Sequence, residues 1–247
     1  MTQDKLGLGE QALNKIAEVA LSTQLDEVER LEVHVKTDPA KLAQGELESI
    51  TINGDGLVMH DDLRMENMEM QISAIAVNPL QALMGNIKLT QPAEGKARVV
   101  LTEADINRAF NSESLCGQMR NLKAQVDGKP MMVDTQRVDC QLLADGKVAI
   151  DVQILVQQTG ETRTVSFTTK PCVSTGEGGV SLEDVQYAQG NELSPELTRV
   201  LMNKASEILN LRNFEMEGIS LRIHQLEVEA GKLILYAEAS VTQFPSV

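Results

Sequence analysis

Apolar side chains recur at every second position through long stretches of this chain. Val148, Ile150, Val152 and Ile154 alternate with polar residues, and so do Leu31, Val33 and Val35. A period of two places all members of such a set on one face of an extended strand. A chain built this way has to pair its strands and cover the apolar face of the resulting sheet. The material for that face is unusual. Hydrophobic residues make up 42% of 247 residues, but aromatics only 2%, with no Trp, 2 Tyr and 4 Phe. The apolar surface is therefore Leu, Val, Ile, Ala and 11 Met, side chains that pack adaptably and lack the shape specificity of rings. That suits a solid core and an acyl-chain cavity equally.

The rest of the chain fits an α+β class of long antiparallel strands with a few amphipathic helices. Leu13, Ile16, Ala17, Ala20 and Leu21 form one helical stripe between about Leu8 and Leu25, and Asp38-Pro39 opens a short helical turn. Leu47 to Ile52 starts a strand that Asn53-Gly54-Asp55-Gly56 punctuates as a turn or bulge. Between Leu63 and Val77 the parity slips: Leu63 and Met65 are odd, whereas Met68, Met70 and Ile72 are even. One extra residue near Glu66-Asn67 would do this, so a bulged strand is expected. Thr102 caps a helix through Phe110, and strands fill Met131 to Val173. Ser194-Pro195-Glu196 opens a helix whose apolar face includes Leu197, Val200 and Leu201. A hairpin turning at Ala230-Gly231 closes the chain. The two ends share an order of helix followed by strands, a weak hint of a repeat. No linker or charge block interrupts the sequence, so one domain spanning residues 1–247 is expected.

A net charge of −14 excludes the clustered cations that nucleic-acid binding needs. It also opposes simple attraction to an anionic membrane. Cys116, Cys140 and Cys172 are odd in number and far apart, which points to reduced thiols, with Cys140 on a strand and the other two in turns. No secretory signal is read at the N-terminus and no run reaches a membrane-spanning length. The expected location is cytoplasmic and membrane-peripheral.

Chemistry is hard to find. His60-Asp61-Asp62 converges poorly for a metal on an extended chain, and His34 and His224 alternate with apolar neighbours, which places them on an outer strand face. There is no nucleophile elbow, phosphate loop or dinucleotide fingerprint. The sequence assigns no catalytic residue, metal or cofactor. The methionine-rich strand says more: Met65, Met68, Met70 and Ile72 gather flexible apolar side chains that two amphipathic helices can face. Met65, Met70, Leu197 and Leu201 are the candidate lining residues of an apolar cavity.

Three stretches carry a resemblance. They are Asp38-Pro39-Ala40-Lys41-Leu42 through Asn53-Gly54-Asp55-Gly56-Leu57, then Ala97-Arg98-Val99-Val100-Leu101-Thr102-Glu103-Ala104-Asp105-Ile106-Asn107 to Asn111, and Gly218-Ile219-Ser220-Leu221 to Leu233. Together they resemble the bacterial LmeA-like phospholipid-binding family. The resemblance implies a curved antiparallel sheet wrapped around long helices, in the manner of tubular lipid-binding (TULIP-like) domains. It further implies an apolar cavity, a phospholipid or other acyl lipid as partner, and no enzymatic activity. It transfers no individual site residue. Burying an acyl chain gains about 0.8 kcal/mol per CH₂, so a sixteen-carbon chain is worth on the order of 12 kcal/mol against water. A bilayer offers the same gain, so a carrier needs a dry groove rather than a strong polar grip. Two other readings stay open: an interaction module with a solid core, and an enzyme whose residues converge only in the fold.

Overall fold

The computed structural model describes residues 8–59, 63–83, 89–126, 129–174, 179–187, 199, 202, 203, 206 and 218–244. Helix α1 (Leu8–Ser22) leads into β1 (Glu27–Lys36), the short α2 (Pro39–Ala43), β2 (Glu46–Met59), β3 (Leu63–Ala76), α3 (Pro79–Leu83) and β4 (Ala93–Thr102). Then come α4 (Glu103–Phe110), α5 (Glu113–Gln118), β5 (Leu122–Val126), β6 (Lys129–Leu142), β7 (Val148–Val156), β8 (Glu161–Val173) and β9 (Val180–Tyr187). The hairpin β10 (Ile219–Glu229) and β11 (Lys232–Val241) returns to the first sheet. Pairing is antiparallel throughout, in two sheets of order β1-β2-β3-β4-β11-β10 and β5-β6-β7-β8-β9. The first sheet curls into a half-barrel. Strands dominate and helices are few, as the alternation implies, but the strands divide between two sheets where the sequence points to one. Buried side chains of both sheets belong to one hydrophobic cluster.

Two local expectations change. Asn53-Gly54-Asp55-Gly56 is not a turn, since β2 runs straight through it. Nor does β3 carry an extra residue, because its register against β2 is constant from Met59↔Leu63 to Glu46↔Ala76. The parity slip is shared by the two strands. Leu57 and Met65 are paired and buried, and so are Ile52 and Met70 further along, despite opposite parity. Between them Gly56, at φ +58°, breaks the pleat, and the Glu29 side chain lies where a Cβ would project. A positive φ costs a β-carbon residue roughly 1–2 kcal/mol, which explains the glycine. Ala74, at φ 54°, marks a second shared slip between Ile72 and Ile75. A register shift does occur at His224 in β10, between Ile223 and Gln225.

Two open strand edges, that of β1 and that of β6 beyond β5, are met by helix side chains. Polar groups four apart line one side of a helix, and alternate residues of a strand present their backbone groups to one edge. In α1 the matching stripe is Glu10, Asn14 and Glu18. Thr37 N–H donates to Glu10 Oε1 (3.2 Å), Val35 N–H to Asn14 Oδ1 (2.7 Å) and Val33 N–H to Glu18 Oε1 (3.4 Å). The stripe recurs in α4 as Glu103, Asn107 and Asn111. Leu142 N–H donates to Glu103 Oε2 (2.9 Å), Cys140 N–H to Asn107 Oδ1 (2.7 Å) and Val138 N–H to Asn111 Oδ1 (3.0 Å). The amides of Asn107 and Asn111 donate back to the Cys140 and Val138 carbonyls, 2.8 and 2.7 Å. The internal echo therefore pairs α1 and its four-strand meander β1–β4 with α4 and the meander β6–β9, not the two chain ends.

Helix α4 also joins the sheets. Thr102 and Asp105 form a reciprocal capping box, and Arg64 of β3 donates to Asp105 Oδ1 at 2.9 Å. Hydrogen bonds to Glu29, then Glu66, then Asp105 raise Arg64 above the ordinary guanidinium value. Gly231, in the β10–β11 turn, donates to the Leu142 carbonyl (3.0 Å) and accepts from Glu103 N–H (3.0 Å). All three cysteines are free thiols. Cys140 is buried on β6 as the alternation implies, but Cys116 lies in α5 and Cys172 in β8, not in turns.

Two outcomes follow. Asn107→Ala strips partners from two Cys140 backbone groups and should cost about 2 kcal/mol, a Tm fall of roughly 4–8 °C by thermal melting. Burial, and secondarily Glu103, pushes the Cys140 thiol up to about 12. An unfolded thiol ionises near 8.5, so this contribution is fully present below about pH 8.5 and drains away as pH rises towards 12. Denaturant unfolding at pH 8 and pH 10 should show a loss of roughly 1–2 kcal/mol that Cys140→Ala abolishes.

Candidate functional site

The inner face of the six-stranded sheet is a continuous aliphatic surface. Following the pairing across the strands, one row reads Val33, Ile52, Met70, Ala97, Ala237 and Ile223, all buried. The next row is Val35, Ile50, Ile72, Gly95, Ala239 and Leu221. A third is Leu31, Gly54, Met68, Val99, Leu235 and Leu226. Each row exists because every strand contributes one residue of its inward-facing set at that level.

The rows are not uniform in size. On β4 the inward residues are Ala93, Gly95 and Ala97, then Val99 and Leu101. On the adjacent β11 they are Ala239 and Ala237, then Leu235 and Leu233. Small residues thus make a floor down the middle of the face, flanked by Ile50, Ile52, Met70 and Ile72 on one side and Leu221 and Ile223 on the other. At the end of the sheet that holds α2 and α3, Ala93 pairs with buried Val241, and about 13 Å further in, at 3.3 Å per residue, Val99 and Leu235 bound the floor on the other side. Within the floor Gly95 admits no larger residue without a shift: a Cβ there would stand 2.7 Å from the Gln71 carbonyl oxygen.

Of the residues singled out from the sequence, Met65 and Met70 are both on this sheet and 1% exposed. Met70 stands in the first row, while Met65 lies beyond the Gly56 slip, against Leu57. Leu197 and Leu201 lie outside the described residues. Of the helix expected around them, Arg199, Met202, Asn203 and Ser206 are described and helical, and Met202 packs against the core. The small-residue floor was not read from the sequence. Its signal was available in Ala93-Glu94-Gly95-Lys96-Ala97-Arg98 and Ala237-Glu238-Ala239, where small and charged residues alternate with a period of two.

Among the described residues the polar groups do not assemble elsewhere into a recognisable reactive centre. His34 is exposed, 3.9 Å from Glu32, and His60-Asp61-Asp62 lies outside the described residues. A cleft of about 340 Å³ on the polar face of the same sheet holds Lys96, Arg98, His224 and Tyr236. Arg98 there donates to Asn67 Oδ1 at 3.3 Å. A second cleft, about 280 Å³, lies on β7–β9 beside Phe167 and Tyr187, whose ring centroids are 6.4 Å apart. Among the described residues no group of three or more His, Cys, Asp or Glu is placed to hold a metal ion, and no helix is long and apolar enough to cross a membrane.

Comparison with known proteins gives one result of wide coverage. A family model described as LmeA-like phospholipid-binding matches residues 4–238. No curated protein and no solved structure matches significantly. The match takes in β1 to β10, the Met-bearing β3 among them, and β11 as far as Glu238, so the chain belongs to the LmeA-like phospholipid-binding family.

Proposed function

We propose that this chain binds a phospholipid without transforming it, seating acyl chain against the aliphatic inner face of the curled sheet, and that it carries that lipid between membranes. The observation behind this reading is the floor of Ala93, Gly95, Ala97, Ala237 and Ala239 between walls of Ile and Met. A face of this kind gives an extended chain a bed of its own width and offers it no polar partner. Methionine walls adapt to chains of differing length and unsaturation. The gain per buried CH₂, about 0.8 kcal/mol, matches what the bilayer offers, so exchange in both directions stays accessible. On this reading residues 1–247 act as one lipid-binding unit of the tubular type, and the protein touches membranes from the side.

A second reading is favoured by one specific observation: Ile52, Met65 and Met70 are at most 1% exposed, as in a solid core. It makes the chain an interaction module with no room for lipid.

Ala237→Leu separates the two. Where the floor receives an acyl chain, the added side chain competes with lipid, so uptake of a fluorescent-acyl phospholipid falls while the Tm holds. Where protein already fills the space, overpacking costs about 1–3 kcal/mol and the Tm drops, with no uptake by the wild type. Thermal melting and fluorescent-lipid titration on both proteins give the answer.

A further inference from the structure

We infer that the cleft on the polar face of the six-stranded sheet binds a small phosphate ester that carries hydroxyl groups, with Lys96, Arg98 and His224 holding the phosphate. The cleft lies on the opposite face from the proposed acyl seat and works whether or not lipid binds.

The cleft follows from the strand register. Met70, Ala97 and Ala237 turn their side chains inward, so at their level the outer face shows backbone, and all three line the cleft. Outward side chains stand on either side in two rows, about 6.7 Å apart at two strand residues. One row is Asn53, Glu69, Arg98 and Tyr236, and the other is Thr51, Gln71, Lys96 and Glu238. All of these but Glu238 line the cleft. His224 is the extra residue of the β10 bulge, between Ile223 and Gln225. A bulge re-aims the side chain it carries, and this one brings an imidazole to the cleft.

The two sides of the cleft differ in chemistry. Strands β4, β11 and β10 supply Lys96, Arg98, Tyr236 and His224. Arg98 donates to the neutral Asn67 Oδ1 at 3.3 Å and stands 4.0 Å from Glu69. Among the described residues, the side chains of Lys96 and His224 have no hydrogen-bond or ion-pair partner. Charge-assisted bonds from such groups to phosphate oxygens are strong ones. Strands β2 and β3 supply Thr51, Asn53, Gln71 and the Glu69 carboxylate, which can accept from ligand hydroxyls. At about 340 Å³ the space suits a small organic ligand rather than a bare ion.

The surroundings limit the size of that ligand. Asp55, Glu94, Glu227 and Glu238 stand on the same face around the cleft, with Arg222 opposite Glu238 in register. One level of the sheet is about 6.7 Å, within a Debye length of about 8 Å. These carboxylates therefore repel an anionic bilayer laid across the face. A compact phosphate seated between the rows meets Lys96 and Arg98 first.

Calorimetric titration of the full chain with glycerol 3-phosphate is the test. Lys96→Gln and Arg98→Gln should each weaken binding about tenfold or more. Lys96 is exposed, so its variant should keep the Tm and carries the result even where loss of the Asn67 contact destabilises the other. Lys232→Gln removes the same charge from the same face, about 13 Å along β11 from Tyr236, and should leave binding intact. Inorganic phosphate should bind more weakly than the ester. No saturable binding at millimolar ester, or equal losses in the Lys96 and Lys232 variants, would overturn the assignment. Equal affinities for phosphate and ester would refute the role given to Asn53, Gln71 and Glu69. Phosphatidylglycerol vesicles that bind through Lys96 where the soluble ester does not would make the cleft a membrane contact and contradict the small-ligand site.

Discussion

Six paired strands that all turn their aliphatic residues to one side create a face that water covers only at high cost, and the architecture of this protein follows from how that face is closed. Curling the sheet brings the two ends of each row, such as Val33 and Ile223, towards one another around a shared interior. The curl demands local relief, found where Gly56 and Ala74 take positive φ and let β2 and β3 change faces together. What fills the middle of the face is then a matter of side-chain size. Alanine and glycine on β4 and β11 present smaller side chains there than Ile, Leu and Met do at either flank, and that asymmetry is the observation behind the proposed lipid seat.

Sheets also have edges, and an open edge invites further strands. Here two edges are met by the same device. A helix lies along the strand and offers Glu-Asn-Glu or Glu-Asn-Asn at four-residue spacing to backbone groups at two-residue spacing. Four helical residues rise about 6.0 Å and two strand residues about 6.7 Å, so three contacts can be made before the repeats drift apart. Three are made in each case. The device blocks edge-to-edge association and, through α4, anchors the second sheet at the end of the first sheet away from α2 and α3.

Much of this was legible in the alternation. It gave β6, β7, β8 and the closing hairpin, and Thr102 announced α4 by its cap. The burial of Met65, Met70 and Cys140 follows from the same rule. The division into two sheets was not legible, because alternation says which face a residue takes and nothing about which strand it pairs with. The slip in β3 was read as a bulge because a single strand cannot reveal that its partner slips at the same level. Asn53-Gly54-Asp55-Gly56 looks like a turn by composition, yet tertiary pairing overrides that preference and uses Gly56 to turn the strand over. The helix stripes escaped notice because Glu10, Asn14 and Glu18 read as a solvated face until β1 is seen beside them.

The central claim is that the inner face holds phospholipid. Native mass spectrometry of the protein purified without detergent, before and after incubation with vesicles, addresses it most directly. The account predicts a population heavier than the 247-residue chain by the mass of one phospholipid, released as that lipid on activation and absent after delipidation. A protein that shows only its own mass after incubation with vesicles would contradict it, and the aliphatic face would then be core.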